Sequence, residues 1–120
     1  RELIAVVVSI SNKCHYCQIH HSEALNHYWK DDERIKSLLY GFNKADLSLR
    51  EMTLCSFAER LTLDPSAFKD SYYINKLKKY KLNDAGILDA VLVVAYFNFV
   101  NRIVLSLDVE IESQTNGFNY

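Results

Sequence analysis

The scarcity of chain-breaking residues constrains this 120-residue sequence most: it holds three glycines and one proline, Pro65. A many-stranded β fold needs turns at short intervals, and turns draw on glycine and proline for backbone conformations that other residues adopt at a cost. Long uninterrupted segments favour helices instead, so the expected class is all-α. The length suits one domain spanning residues 1–120 with its own core. With 49% hydrophobic residues, 24% charged residues and a net charge of -1, the chain lacks the basic excess of a nucleic-acid binder.

Local signals place several helices. Residues 87–107 (ILDAVLVVAYFNFVNRIVLSL) run to about four times a usual strand length, so they read as helix despite their β-branched content. Asn83 is its expected N-cap, with Leu82 and Ile87 spaced as a hydrophobic staple. Ser48 and Glu51 make an S-x-x-E capping box, and Leu54, Phe57, Ala58 and Leu61 then fall on one helical face that ends near Leu63. Asp64 and Pro65 open a further helix through residues 65–80. Residues 1–10 admit a buried strand or a helix. A strand leading into a CxxC helix would suggest a thioredoxin-like unit, but the alternating strands such a unit needs are not found. Residues 1–10 therefore read as helix, and Asn12 as the N-cap of a second helix carrying two cysteines.

No membrane segment is expected. The run at residues 3–10 is too short to span and lacks a cleavage pattern. Residues 87–105 are interrupted by Asp89, Asn98, Asn101 and Arg102, which favours a buried helix of a soluble bundle. The chain starts at Arg1 without methionine, so an upstream N-terminal portion is expected.

The segment KCHYCQIHHSEAL, residues 13–25, carries the chemistry. Cysteine occurs three times, an odd number, and Cys14 and Cys17 are too close in sequence to staple distant parts of a chain, so a reducing, cytoplasmic setting is expected. Cys14, Cys17 and His21 stand at i, i+3 and i+7, which puts all three toward one helical face. A cysteine in the first turn of a helix is favoured as thiolate by the helix dipole. Such a thiolate attacks the O–O bond of a peroxide to give a sulfenic acid, which a neighbouring thiol converts to a disulfide. Two other readings of the same residues stay open: inert buried thiols, or a zinc site of Cys14, Cys17, His21 and Glu2, with His20 able to replace one ligand.

Glu2, Cys14, Cys17 and His21 fit the spacing E-x11-C-x2-C-x3-H. This pattern resembles the signature of the alkylhydroperoxidase D and carboxymuconolactone decarboxylase family. The segment AYFNFVNRI (residues 95–103), followed by LDVEIE, resembles the last helix of that family's peroxidase-related branch. The resemblance implies an all-α helical bundle that forms a homo-oligomer, and a dithiol peroxidase without metal or cofactor. Carried across, Glu2 is the base, His21 the relay, Cys17 the attacking thiol and Cys14 the resolving one. The substrate is then a hydroperoxide, and the electrons come from an external dithiol on a thioredoxin-like or lipoyl protein. Founding members carry a histidine immediately before the second cysteine, where this chain has Tyr16, a departure that bears on the proton path. Decarboxylase members lack the cysteine pair. The competing function is a dithiol redox sensor or oligomeric binding module without useful peroxidase turnover.

The remaining candidates read as structural. Cys55 falls on the apolar face of its helix and is expected in the core. His15, His20 and His27 are expected at the surface or a subunit contact, with His20 the nearest to an exception. Asn98, Asn101 and Arg102 could line a pocket or an interface, or form a buried hydrogen-bonded network. The tyrosines and phenylalanines suggest core and oligomer packing.

Overall fold

The computed structural model describes residues 1–112. Six α-helices follow one another: α1 (Glu2–Ser11), α2 (His15–Trp29), α3 (Asp32–Tyr40), α4 (Leu49–Leu63), α5 (Tyr72–Lys79) and α6 (Asp84–Ser106). Short 3-10 turns at Phe42–Lys44 and Pro65–Asp70 lead into α4 and α5. No strand occurs among the described residues, as the sparse turn residues led us to expect.

The first helix is the axis around which the others pack, touching α2, α4 and α6. Its apolar run shows no helical period because it is buried on every side. Ile4, Ala5, Val7 and Val8 join one core cluster with Phe57 and Ala58 of α4, Leu77 of α5 and Ile87, Val94 and Phe97 of α6. Val6 points into a second cluster with Leu25, Ile35 and Leu38. At about 1.5–3 kcal/mol per buried valine-sized side chain, this short helix is held by tertiary contact rather than by its helix propensity.

Caps set several of the boundaries. Ser48 and Glu51 form the reciprocal capping box, and the Asn83 side chain accepts from the Gly86 N–H. Leu82 and Ile87, the staple pair, are both in the main core cluster. Two expectations need correction. Residues 65–80 are not one helix: Ser71 adopts a left-handed conformation with φ of 54°, which separates the 3-10 turn from α5. The last helix is not buried all round. Ile87, Ala90, Val94, Phe97 and Asn101 face the core, whereas Leu88, Leu92, Tyr96, Phe99 and Ile103 are exposed on the other side. Among the described residues α6 is the one helix long and apolar enough to cross a membrane by length and composition.

A polar network ties the end of α1 to α4 and α6. The Asn12 side-chain amide donates to Asn98 Oδ1 and Asn101 Oδ1, at 3.0 and 3.1 Å. Asn98 donates to Thr62 Oγ1, Arg102 donates back to Asn98 Oδ1, and fully buried Asn101 reaches Ser9 Oγ at 3.5 Å. Of the three roles open to Asn98, Asn101 and Arg102, they take the hydrogen-bonded structural one.

Candidate active site

The turn between α1 and α2 positions the cysteines. Asn12 caps the C-terminus of α1 and Lys13 follows in the left-handed region with φ of 57°. The Lys13 N–H bonds to the Ile10 carbonyl and the Cys14 N–H to the Ser9 carbonyl, the crossed pair of a Schellman motif. Asn12 is therefore a C-cap of α1. The N-cap of α2 is Cys14 itself, with an extended backbone, and its carbonyl accepts from the Gln18 N–H. Cys14 thus sits just outside the first turn where the spacing had placed it, still beside the unpaired N–H groups of the helix start.

The sulfurs of Cys14 and Cys17 are bonded to each other, with Cα atoms 5.3 Å apart. Both residues are buried. A cavity of about 180 Å³ reaches Cys14, walled by Tyr16, Val104, Leu105 and Val109. Cys55, the remaining cysteine, is fully buried within α4 and stays a thiol. Burial pushes its pKa up to about 12, with Glu51 and Glu59 adding to the effect, so it is poorly suited to nucleophilic work.

Glu2 comes from the first turn of α1 and His21 from α2, one turn beyond Cys17. Glu2 Oε2 lies 3.0 Å from His21 Nδ1, with both side chains about four-fifths buried. The hydrogen bond from His21 holds the Glu2 carboxyl below the usual carboxylate range, against the opposing effect of burial and with help from the charges of His21 and Arg1. The edge of the His21 ring packs on Phe97 at 4.7 Å, which fixes its plane. A second cavity, of about 640 Å³, opens on the Glu2 side between Leu3, Leu25, Trp29 and Leu54.

On the other flank of the same helix the Tyr16 hydroxyl donates to Glu112 Oε1 at 2.9 Å, and His20 Nε2 lies 3.2 Å from Glu112 Oε2. The Tyr16 and His20 rings are 4.2 Å apart. Glu112 has its carboxyl held below the usual range by its own backbone N–H and by the Tyr16 hydroxyl, and Tyr16 is pushed up in turn. His15 and His27 are exposed, whereas His20 is buried. Glu112 was not singled out by sequence, because 92 residues separate it from His20 and no local pattern marks the contact. Among the described residues no group of three or more His, Cys, Asp or Glu is arranged to hold a metal ion.

Residues 1–42 match the model of the carboxymuconolactone decarboxylase family. No curated protein matches the chain. Among solved structures, an uncharacterized peroxidase-related protein from Silicibacter sp. TM1040 superimposes with a TM-score of 0.89 at 29% identity, over 98% of this chain and 61% of that one. An alkylhydroperoxidase AhpD core, an uncharacterized peroxidase-related protein from Ralstonia eutropha JMP134, shares the fold with a TM-score of 0.85 at 24% identity, over 94% of this chain and 59% of that one. The chain therefore spans about three fifths of the solved chains it matches. The matched N-terminal segment contains Glu2, both bonded cysteines and His21, so the similarity to the carboxymuconolactone decarboxylase family covers the whole candidate site, and the rest of the chain shares the fold of the two peroxidase-related solved structures.

Proposed function

We propose that this chain reduces hydroperoxides through its Cys14–Cys17 dithiol. The observation that carries the reading is the Cys14–Cys17 bond on a helix whose next turn presents His21, itself hydrogen-bonded to Glu2. A carboxylate paired with an imidazole one turn from a thiol can take up the thiol proton, which makes the nucleophilic thiolate available.

In this reading Cys17 gives up its proton through His21 to Glu2 and attacks the terminal peroxide oxygen. An S–O bond forms, the O–O bond breaks, and the departing alkoxide takes a proton to leave as alcohol, or as water when the substrate is hydrogen peroxide. Cys17 is now a sulfenic acid. The Cys14 sulfur displaces its hydroxyl, which leaves as water with the proton of the Cys14 thiol. One peroxide and two thiols become one alcohol, one water and one disulfide. An external dithiol, on a thioredoxin-like or lipoyl-bearing protein, then reduces the disulfide. The same reading takes the protein to be cytoplasmic and homo-oligomeric, and the exposed apolar face of α6 is compatible with packing against further copies.

The test is a stopped-flow measurement of thiol oxidation in the reduced protein with tert-butyl hydroperoxide. Oxidation about 100-fold or more faster than that of free cysteine is expected for a thiol served by a positioned base. A rate equal to that of free cysteine contradicts the peroxidase reading and leaves the dithiol as a redox switch.

A further inference from the structure

The hydroperoxide chemistry above needs two proton events of opposite sense: a proton must leave the Cys17 thiol, and a proton must reach the departing oxygen. Glu2 and His21 answer the first. The structure contains a second imidazole and carboxylate pair, His20 with Glu112, whose imidazole is one helical turn from the same cysteine. His20 and His21 follow Cys17 by three and four residues, so on a regular helix they lie about 60° to one side of it and about 40° to the other. His21 is tied to Glu2 of α1, and His20 to Glu112 of the segment after α6. Each flank of Cys17 thus has an imidazole held by a carboxylate from a different part of the chain.

We propose that His20 is the proton donor to the departing oxygen and that Glu112 is its positioning residue. This rests on the peroxidase reading. His20 is mostly buried with its ring packed on that of Tyr16, and it is held at its Nε2 by the half-exposed Glu112, whose other oxygen is occupied by the Tyr16 hydroxyl. The two hydrogen bonds fix the carboxylate, and its charge compensates the imidazolium when the ring holds both protons. In the reaction the His20 imidazolium gives one proton to the alkoxide as the O–O bond breaks, and the neutral ring regains one from solvent before the next turnover. The Cys17 proton is held meanwhile on the Glu2 and His21 pair and returns to solvent as the His20 ring is recharged, so that no net proton is consumed. Tyr16, which stands where founding family members have a histidine, here serves to orient Glu112.

The dependence on leaving group separates this role from a structural one. An alkoxide leaves only with a proton, whereas the carboxylate released by a peracid leaves without one. The reduced chain, as wild type, Glu112→Gln and His20→Gln, is mixed with tert-butyl hydroperoxide or with 3-chloroperbenzoic acid, and thiol loss is followed by rapid quench. With tert-butyl hydroperoxide we expect a fall of about 10-fold for Glu112→Gln and about 100-fold for His20→Gln; with the peracid both stay within about 2-fold of wild type. Equal slowing with both oxidants, or none with either, overturns the proposal while a fast wild type keeps the peroxidase reading. Wild type no faster than free cysteine on tert-butyl hydroperoxide overturns both.

Discussion

Replacing Glu2 with glutamine probes the proton path on the His21 side with little change of shape. The amide is isosteric and its oxygen can still accept from the His21 Nδ1–H across the 3.0 Å contact. What it loses is the ability to hold a proton from the imidazole. General-base assistance of this kind contributes about 100-fold to 10,000-fold, and the retained ring orientation places the expected loss near the lower end, about 100-fold in the rate of Cys17 oxidation. The stability cost is small by comparison: the pair is partly exposed, and one charge-assisted hydrogen bond is exchanged for a neutral one, for about 1 kcal/mol. The pH dependence has a definite sign. The Glu2 carboxyl is held below its ordinary value in the folded chain. Its contribution to stability is therefore present above the unfolded pKa and is lost as pH falls through the lower folded one. Glutamine removes that acid-side slope. Stopped-flow oxidation of the reduced variant by hydrogen peroxide, with thermal unfolding followed in parallel between neutral pH and pH 3, measures both effects. A variant that reacts within about 2-fold of wild type would refute the assignment of Glu2 as base.

Two further outcomes follow from the packing. Cys55 is fully buried and its thiol is pushed up to about 12, so native reduced protein treated with iodoacetamide at pH 8 should be spared at Cys55, as read by peptide mass spectrometry; rapid labelling of Cys55 would contradict its core placement. Asn101→Ala removes one of the two acceptors of the Asn12 amide and the group facing Ser9, and by weakening a buried polar network should cost about 1–3 kcal/mol in denaturant unfolding; an unchanged midpoint would mean that the network does not hold the α1 end in place.

What the sequence disclosed and what it hid divide along physical lines. Caps are local, so Ser48 with Glu51 and Asn83 with Gly86 were legible from spacing alone. The absence of period in the first ten residues became meaningful once α1 was seen to bury opposite sides in two clusters. Helix ends were harder, because the left-handed positions that stop or turn the chain are Lys13, Lys30, Asp46, Ser71, Lys81 and Asp108, and among the described residues no glycine lies in the left-handed region. Lysine and serine do not advertise that conformation, which is why Asn12 read as an N-cap of α2 and Ser71 as the middle of a helix. Cys14, Cys17 and His21 were visible because they lie close together in sequence at the start of one helix, whereas Glu2 was legible only through the resemblance of the whole pattern to the family signature. Glu112 was not visible: it meets His20 and Tyr16 only because α6 runs back across the bundle to the start of α2.

The central claim is that Cys17 attacks and Cys14 resolves, and the most direct measurement is intact-mass spectrometry of the two single variants after one equivalent of hydrogen peroxide. Cys14→Ser is expected to consume peroxide and gain one oxygen on Cys17, trapped as sulfenic acid, whereas Cys17→Ser is expected to leave peroxide unconsumed. Rapid consumption by Cys17→Ser, with the added oxygen on Cys14, would contradict the assignment.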